Sequence, residues 1–344
     1  MKDDIVTKKI GFLSFGHYRD VHGSRVRTAG DSLRQHIELA VAAEAAGLDG
    51  AWLRVHHFDH SLASPFPLLS AMAARTTTID VGTGVVDLRY ENPLYMAEEA
   101  AATDLISAGR LQLGISRGSP EPAADGQAAF GYRLTEGEDW SGVARARAEL
   151  FRQAIAGHPV ARSQRAVDRG AEPDLQIQPL SPGLLSRVWW GAATHASGVW
   201  AGQAGYNLLS STLLLADDGR PFHIQQAAQV RSYRAARAAS GHPADGQAAV
   251  TRSAFPLTTA EDRSYFGLDR GATDQVGILD GQAARFGPTF AGSLDEVAAG
   301  LAGDEAVQEA DYVLFALPSM LGVDYNAHLF ANLAAVAREL GWKE

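Results

Sequence analysis

The sequence predicts an α/β fold, namely a (β/α)8 TIM barrel with insertions after strands 4 and 7. Strand-like and helix-like segments alternate along the 344 residues, as they do in parallel sheets with right-handed crossovers. Eight strand–helix units are recognisable, and this number fits a closed barrel better than an open doubly wound sheet. No G-x-G-x-x-G segment follows a strand, so a dinucleotide-binding half is not indicated. We therefore expect residues 1–344 to form a single domain.

The first four units combine strand-like runs with helices that carry clear start signals. Asp31 or Ser32 stands near the cap of the first helix, and Gly47 follows as its stop. Ser64 and Asn92 each precede a proline, which is typical of an N-cap followed by the first helical position. The predicted strand and helix pairs are KIGFLSFG with GDSLRQHIELAVAAEAAG, GAWLRVHH with SPFPLLSAMAART, TIDVGTGVVDL with ENPLYMAEEAAATDLISAG, and RLQLGIS with GVARARAELFRQAIAG.

The last four units follow the same pattern, and three irregular segments interrupt the chain. Residues 118–140 are rich in Gly and Pro, and residues 158–185 are irregular with one strand at DLQIQPL. Residues 259–292 form an insertion that we expect to be partly helical. The predicted pairs are SRVWWGA with HASGVWAGQAG, YNLLSS with PFHIQQAAQVRSYRAARAASG, AVTRSAFPLT with SLDEVAAGLAG, and ADYVLFALP with NAHLFANLAAVARELG.

The composition excludes several classes of function. The net charge of -10, from 30 basic and 40 acidic residues, argues against a nucleic-acid or anionic membrane surface. Cysteine is absent, so we expect no disulfide, no thiolate zinc site and no cysteine nucleophile. The N-terminal segment lacks the apolar core of a signal peptide. The sequence contains no run of about 18 apolar residues, so it predicts no membrane span. A cytoplasmic protein is expected.

Arg117 ends the fourth predicted strand in GRLQLGISRGSPE, on the face where such barrels place their active sites. It is either a rim arginine paired with a carboxylate such as Glu121, or a clamp whose planar fork holds phosphate or carboxylate. The ATHAS segment after the fifth strand places Thr194, His195 and Ser197 where a helix begins, and helix N-termini bind anions. Because strands 4 and 5 are neighbours, both groups are able to grip one phosphate.

The second strand ends in His56 and His57. Adjacent strand residues point to opposite sides, which disfavours a single metal ion bound by both. The pair either packs, one ring inside and one outside, or supplies one imidazole for proton transfer. The glycines of VGTGVV either allow tight barrel packing or let the backbone touch a flat ring.

Five stretches of the chain resemble the bacterial luciferase-like flavin-dependent monooxygenase family. They are AAGLDGAWLRVHHF, AARTTTIDVGTGVV, NPLYMAEEAAATDLISAGRLQLGISRG, THASGVWAGQAGYNLLSS, and SLDEVAAGL before DYVLFALP. The resemblance implies a barrel that binds reduced FMN over its strand ends and uses O2 to oxidise a small organic substrate. It also implies a separate flavin reductase and a homodimer.

The resemblance also implies which residues bind the cofactor. Arg117 would hold the flavin phosphate with Thr194, His195 and Ser197, and Arg145 would be a second phosphate partner. These positions combine the fourth strand end, the fifth strand end and the helix GVARARAELFRQAIAG.

Further positions follow from the same resemblance. The Gly84–Val85 bond matches a place where the family often has a non-proline cis peptide under the flavin ring. His56 matches the catalytic histidine of luciferases, and Ser116 stands where they have a reactive cysteine. Because Ala193 replaces a luciferase carboxylate, we do not expect light emission.

Two other functions fit the same fold family. One is a deazaflavin-dependent oxidoreductase, which transfers hydride without oxygen and would need a broader basic groove. The other is a flavin-binding barrel without catalysis. For an enzyme, we expect an apolar substrate pocket with lining from these aromatic residues: Phe12, Trp52 or Trp190, Tyr132 and Trp140.

Overall fold

The computed structural model describes residues 7–119, 122–164, 174–215, 217–268, 273–279 and 282–343. Their strands, in chain order, are β1 (Lys9–Ser14), β2 (Gly50–Leu53), β3 (Asp80–Thr83), β4 (Val86–Asp87), β5 (Leu111–Ser116), β6 (Ala161–Arg162), β7 (Asp174–Leu175), β8 (Val188–Ala192), β9 (Asn207–Ser210), β10 (Leu213–Leu215), β11 (Ala248–Pro256), β12 (Gln275–Leu279), β13 (Gln282–Phe286), β14 (Thr289–Gly292) and β15 (Tyr312–Leu317).

The α-helices of the described residues are α1 (Ala29–Ala45), α2 (Pro65–Arg75), α3 (Pro93–Ile106), α4 (Gly126–Ala129), α5 (Trp140–Ile155), α6 (His195–Gln203), α7 (Phe222–Ala239), α8 (Ala260–Phe266), α9 (Leu294–Ala302), α10 (Glu305–Glu309) and α11 (Gly322–Glu339). Short 3-10 helices cover Leu184–Arg187 and Ser319–Leu321. None of these helices is long and apolar enough to span a membrane.

Eight parallel strands close into a barrel in the order β1-β2-β3-β5-β8-β9-β11-β15, and β15 pairs back with β1. The register at the closure aligns Phe12 with Ala51 on one side and with Phe315 on the other. The predicted (β/α)8 barrel is confirmed, because every barrel pair is parallel and every crossover carries a helix.

The barrel interior is filled with side chains. Trp52 and Trp189 are fully buried and meet edge to face, with ring centroids 5.4 Å apart. A second layer lies between strands and helices, where Phe12 stacks on Phe330 at 5.3 Å. The described side chains fill the barrel interior, and barrels of this type bind their ligands at the C-terminal ends of the strands.

Several predicted elements differ in extent. The strand predicted as GAWLRVHH ends at Leu53, so the histidine pair lies in the following loop. The cap of α1 is Thr28, which forms a capping box with Asp31. Residues 259–292 contain α8 as expected, but β12 and β13 form an antiparallel pair that continues onto β10. The segment is therefore more strand than helix.

Gly109 and Arg110 directly precede β5 and therefore lie at the end of the barrel opposite to Arg117. Ala108 and Gly109 have φ of +56° and +83°, which turns the chain sharply after α3. The Arg110 guanidinium then donates to the carbonyls of Ala73, Thr76 and Ile79, at 2.9, 3.1 and 2.7 Å. This part of the family-like motif is a clamp between α2, β3 and β5, not a ligand site.

Candidate functional site

The loop after β5 presents Arg117 at the rim of the barrel. Gly118 has φ of +86°, and a Cβ added there would lie 1.9 Å from Asp87 Oδ2. That buried carboxylate is held by Arg89, whose Nη2 lies 2.6 Å from Asp87 Oδ2. Arg89 also donates to the Ser119 carbonyl at 2.5 Å. The Asp87–Arg89 pair thus fixes the turn from below, and the exposed Arg117 is not needed for it.

Within the described residues, no hydrogen bond or ion pair of Arg117 is found. The alternative partner Glu121 lies outside those residues. Arg117 lies near Asp139, the N-cap of α5. Hydrogen bonds from the amides of Gly142 and Ser141 hold the pKa of Asp139 below its usual value, and Arg145 and Arg117 lower it further. Both arginines therefore act on one small region of the rim.

Arg145 connects this region to α6, because its guanidinium lies over the Trp200 ring at 4.9 Å. At the start of α6, Thr194 Oγ1 accepts from the Ser197 amide at 3.1 Å. The Ser197 hydroxyl accepts from Trp190 Nε1 at 2.9 Å, which leaves its proton free to be donated. His195 is the exposed first residue of the helix. Arg145 thus contacts the helix that Thr194, His195 and Ser197 begin, and Arg117 follows the strand next to the one that leads into this helix.

Gln229 of α7 supports the same turn, and no pattern in the sequence indicated it. Its Nε2 donates to the carbonyls of Ala192 and Thr194 at 3.3 and 2.8 Å. Its Oε1 accepts from the Ser210 hydroxyl at 2.5 Å. A Cβ on Gly198 would lie 2.8 Å from Gln229 Cγ, so glycine is required for this side chain to pass. Gln229 fixes the backbone from which α6 starts.

The side chains of His56 and His57 lie in different environments. His57 is buried and stacks on Tyr90 with ring centroids 4.2 Å apart. His56 is half-buried, and its Nε2 lies 3.4 Å from the Ser119 hydroxyl. Arg54 donates to that hydroxyl at 3.2 Å and lies 4.8 Å from the centroid of the Phe15 ring. His56 is therefore the histidine that lies at the rim, and Arg54 and Ser119 are neighbours that the sequence did not reveal.

His17 lies on the same side of the barrel mouth, which is the opening surrounded by the loops after the C-terminal ends of the strands. Its Nε2 lies 3.9 Å from Asp59 Oδ2. Burial lowers the pKa of His17, and the nearby carboxylate of Asp59 only partly opposes this effect. Arg54 and His56 lower it further. The mouth thus holds two imidazoles. That of His17 favours the neutral form, and that of His56 is the one predicted to move a proton.

The expected cis bond is not found, because the Gly84–Val85 peptide is trans; in the described residues the cis bond is Gln178–Pro179. The Gly84 amide instead donates to the Leu53 carbonyl at 2.5 Å and so extends the contact between β2 and β3. A Cβ on Gly114 would lie 2.4 Å from the Thr83 carbonyl oxygen. Tight barrel packing therefore explains these glycines. Val85, half-buried, remains at the rim.

Other predicted positions have structural roles. The Ser116 hydroxyl accepts from the Gly118 amide at 2.8 Å and so shapes the turn. Phe12 and Trp52 are fully buried in the core, and Trp190 packs on Trp200 at 4.5 Å. The expectation that these three rings line a substrate pocket is wrong, because each ring is buried against other side chains. Tyr132 lies under the Arg147 guanidinium at 4.1 Å.

Metal binding has no counterpart in the part of the chain that the structure describes. No group of three His, Cys, Asp or Glu side chains there is placed to hold a metal ion. The polar groups that the structure places at the mouth are guanidinium, imidazole, carboxylate and hydroxyl groups together with the amides at the start of α6.

Solved structures share this fold over nearly the full chain. The oxygenating constituent of 3,6-diketocamphane monooxygenase from Pseudomonas putida, in complex with FMN, superposes with a TM-score of 0.70 at 16% identity, covering 98% of this chain and 99% of that one. An F420-dependent secondary alcohol dehydrogenase gives a TM-score of 0.67 at 12% identity, covering 98% and 100%. At such identities the likeness establishes the fold alone.

Comparison of the sequences shows the family as well as the fold. Over 134 residues the chain is 35% identical to the oxygenase component of the flavin-dependent trigonelline monooxygenase of Acinetobacter baylyi, which is 37% of this chain and 35% of that protein. The chain therefore spans about a third of that relative's length. A family model described as luciferase-like monooxygenase matches residues 11–265. Because this match covers most of the sequence, the chain belongs to the luciferase-like monooxygenase family.

Proposed function

We propose that the protein is a flavin-dependent monooxygenase that uses reduced FMN and O2 to oxidise a small organic substrate. A separate reductase supplies the reduced flavin, and the protein works as a homodimer in the cytoplasm. The observation that carries the proposal is the cationic rim of Arg117 and Arg145 beside the start of α6. Family membership supports the same conclusion.

The donor set at the rim fits the phosphate of FMN. A terminal phosphate monoester carries about two negative charges and three acceptor oxygens. Arg117 and Arg145 offer planar guanidinium forks for those oxygens. The amides at the N-terminus of α6 and the Ser197 hydroxyl add neutral donors. A deazaflavin, whose acidic tail is longer, calls for basic groups spread over a broader groove.

In this arrangement, the residues bind, orient and shuttle a proton. Reduced FMN, when bound, supplies the two electrons with which O2 delivers one oxygen atom to the substrate and the other to water. Arg117, Arg145 and the α6 N-terminus hold the phosphate, and the half-buried Val85 at the rim supports the ring. His56 holds or moves a proton at the ring edge, as a positioned imidazole does in general acid–base catalysis.

The proposal is tested by titrating the full chain, without oxygen, with reduced FMN and with reduced F420. We expect FMN to bind more tightly. Arg117→Ala should weaken FMN binding about tenfold to a hundredfold, the effect of one charge-assisted contact of about 1.5–3 kcal/mol. Arg338→Ala is the matched control, because Arg338 is exposed in the last turn of α11 at the other end of the barrel.

Three outcomes would contradict parts of the proposal. Tighter binding of F420 would favour hydride transfer by a deazaflavin enzyme. Equal FMN affinity in Arg117→Ala and Arg338→Ala would refute the phosphate assignment. Binding of reduced FMN without any O2-dependent oxidation across a panel of small aldehydes, ketones and heteroaromatic acids would favour a flavin-binding barrel that does not catalyse.

A further inference from the structure

We propose that Ser14, Ser32 and His36 are positioning residues. Together they clamp Gly16 and thereby hold His17 in place at the mouth of the barrel. The inference rests on the proposed function only in taking the mouth as the place of reaction. Ser14 is the last residue of β1, and Ser32 and His36 lie in the first half of α1. All three side chains are buried, so this Gly16 clamp lies beneath the loop that follows β1.

Two hydroxyl groups hold Gly16 from both sides. Its amide donates to the Ser14 hydroxyl oxygen at 3.1 Å, and its carbonyl accepts from the Ser32 hydroxyl at 2.8 Å. The His36 ring joins the two serines, because its Nε2 lies 2.6 Å from Ser14 Oγ and its Nδ1 lies 2.6 Å from the Ser32 carbonyl oxygen. The four residues therefore form a closed ring of hydrogen bonds.

The direction of each bond follows from a partner that is able only to accept or only to donate. The Ser32 carbonyl has no proton to give, so His36 Nδ1 carries one. Burial lowers the pKa of His36 to about 4, so at neutral pH the ring has no second proton, and Nε2 accepts from the Ser14 hydroxyl. The two remaining bonds run from the Gly16 amide and toward the Gly16 carbonyl. Each bond of the clamp thus has one direction.

The clamped position needs a glycine. Gly16 has φ of +65°, and a Cβ there would lie 2.3 Å from Leu62 Cγ, so the loop after β1 packs closely on the loop after β2. The Leu62 carbonyl accepts from the His56 amide at 2.8 Å. The Tyr18 amide donates to the His60 carbonyl at 3.1 Å and joins the same two loops. Clamping Gly16 therefore holds the loop after β1 against the loop that carries His56.

The protonation of His17 depends on where this loop lies. Burial has the largest effect and lowers the pKa of His17, whereas the Asp59 carboxylate, 3.9 Å away, favours the charged ring. The groups that favour the neutral ring are Arg19, Arg54 and His56. Because a displaced loop would expose the ring to water, the titration of His17 reports whether the clamp holds. A neutral imidazole accepts a hydrogen bond at one nitrogen, so the clamped loop offers the substrate an acceptor at the mouth.

The test follows Gly16 and His17 by NMR spectroscopy of the full chain without flavin. Hydrogen exchange of the Gly16 amide measures the clamp, and His17→Gln identifies the ring signal whose titration is followed. We expect Ser14→Ala to speed exchange of the Gly16 amide about twofold to tenfold, the range of one neutral hydrogen bond. Ser32→Ala, which removes no bond of that amide, should also speed its exchange. Both variants should raise the pKa of His17 toward its ordinary value.

His36→Phe tests whether the imidazole acts through Ser14. The change keeps a buried ring and removes both nitrogens, so it should speed exchange of the Gly16 amide as Ser14→Ala does. Combining the two changes should add little, because both break the same chain of bonds. Full additivity would show that His36 supports the fold separately, and it would overturn the role of His36 in the clamp.

Ser107→Ala is the matched control. Ser107 is buried, and its hydroxyl donates to the Asp104 carbonyl at 2.9 Å and accepts from the Arg110 amide at 3.1 Å. The control therefore loses the same kinds of bond at the opposite end of the barrel. Gly16 exchange and His17 titration that are equal in the control and in the clamp variants would overturn the proposal. Since the protein carries no flavin in these measurements, failure to bind reduced FMN would refute the proposed function and leave the clamp result standing.

Discussion

Gly118 controls where Arg117 lies, and replacing it by alanine should displace the rim loop. The residue has φ of +86°, and a Cβ there would come within 1.9 Å of Asp87 Oδ2. A real contact needs at least about 3 Å, so the loop or the carboxylate has to move by about 1 Å. Asp87 is not free to yield, because Arg89 holds it in a buried ion pair.

The cost has two parts. A left-handed backbone costs an alanine about 1–2 kcal/mol, offset by about 0.4–1 kcal/mol because alanine restricts the unfolded chain. Forcing the methyl group against the carboxylate of the Asp87–Arg89 pair adds about 1–3 kcal/mol, the usual cost of overpacking. Gly131 supplies the control, since it has the same φ of +86° but no atom within 4 Å of the position that a Cβ would take.

We expect Gly118→Ala to lower the free energy of unfolding by about 1–3 kcal/mol more than Gly131→Ala. Urea unfolding followed by tryptophan fluorescence measures the difference. Reduced FMN affinity should fall only in Gly118→Ala, because Arg117 moves with its neighbour. Equal stability losses in the two variants would show that the contact with Asp87 is unimportant and that φ alone matters.

Two further variants test the histidines. His56→Ala should keep reduced FMN binding but slow substrate oxidation in single-turnover experiments by about 10²- to 10⁴-fold, the range of general acid–base catalysis; normal turnover would assign His56 a packing role. Burial lowers the pKa of His36 to about 4, against a weaker opposing effect of its bond to the Ser32 carbonyl. Because the unfolded chain binds this proton below pH 6.5 and the native chain does not, stability should fall by about 1.4 kcal/mol per pH unit from pH 6.5 down to 4. His36→Gln should remove that share of the slope in urea unfolding, and an unchanged slope would contradict it.

Local signals predicted the elements of the barrel well. The Asn92 side chain accepts from the amides of Leu94 and Tyr95, as the N-cap pattern indicated. The start of α1 was missed by a few residues, because Asp31 is the reciprocal member of a box whose cap is Thr28. The pair β12 and β13 was missed although Asp280-Gly281, a dipeptide typical of hairpins, stands between them in sequence.

The site was predicted only where the residues themselves carry the chemistry. Arg117 and His56 were proposed because their residue types and their places after strands suggest binding or proton transfer, and Arg145 was proposed from the family resemblance; these assignments stay predictions. Arg54 and Ser119 meet across 65 positions of sequence, and Gln229 reaches Thr194 across 35. Such contacts depend on how loops of different strands meet in space, and neither periodicity nor local spacing encodes them.

The arginines of this barrel fall into two groups according to the groups they contact. Those that bond the protein itself hold the scaffold, and those that do not are candidates for binding a ligand. Arg110 gives its donors to backbone carbonyls, and Arg89 is neutralised by the buried Asp87. Both hold loops and have little left for a ligand. Arg117 is exposed and makes no ion pair within the described residues, while the Arg145 guanidinium lies over the Trp200 ring. An anion at the rim would pair with both, and the buried Asp87–Arg89 pair holds the turn that carries Arg117 without competing for that anion.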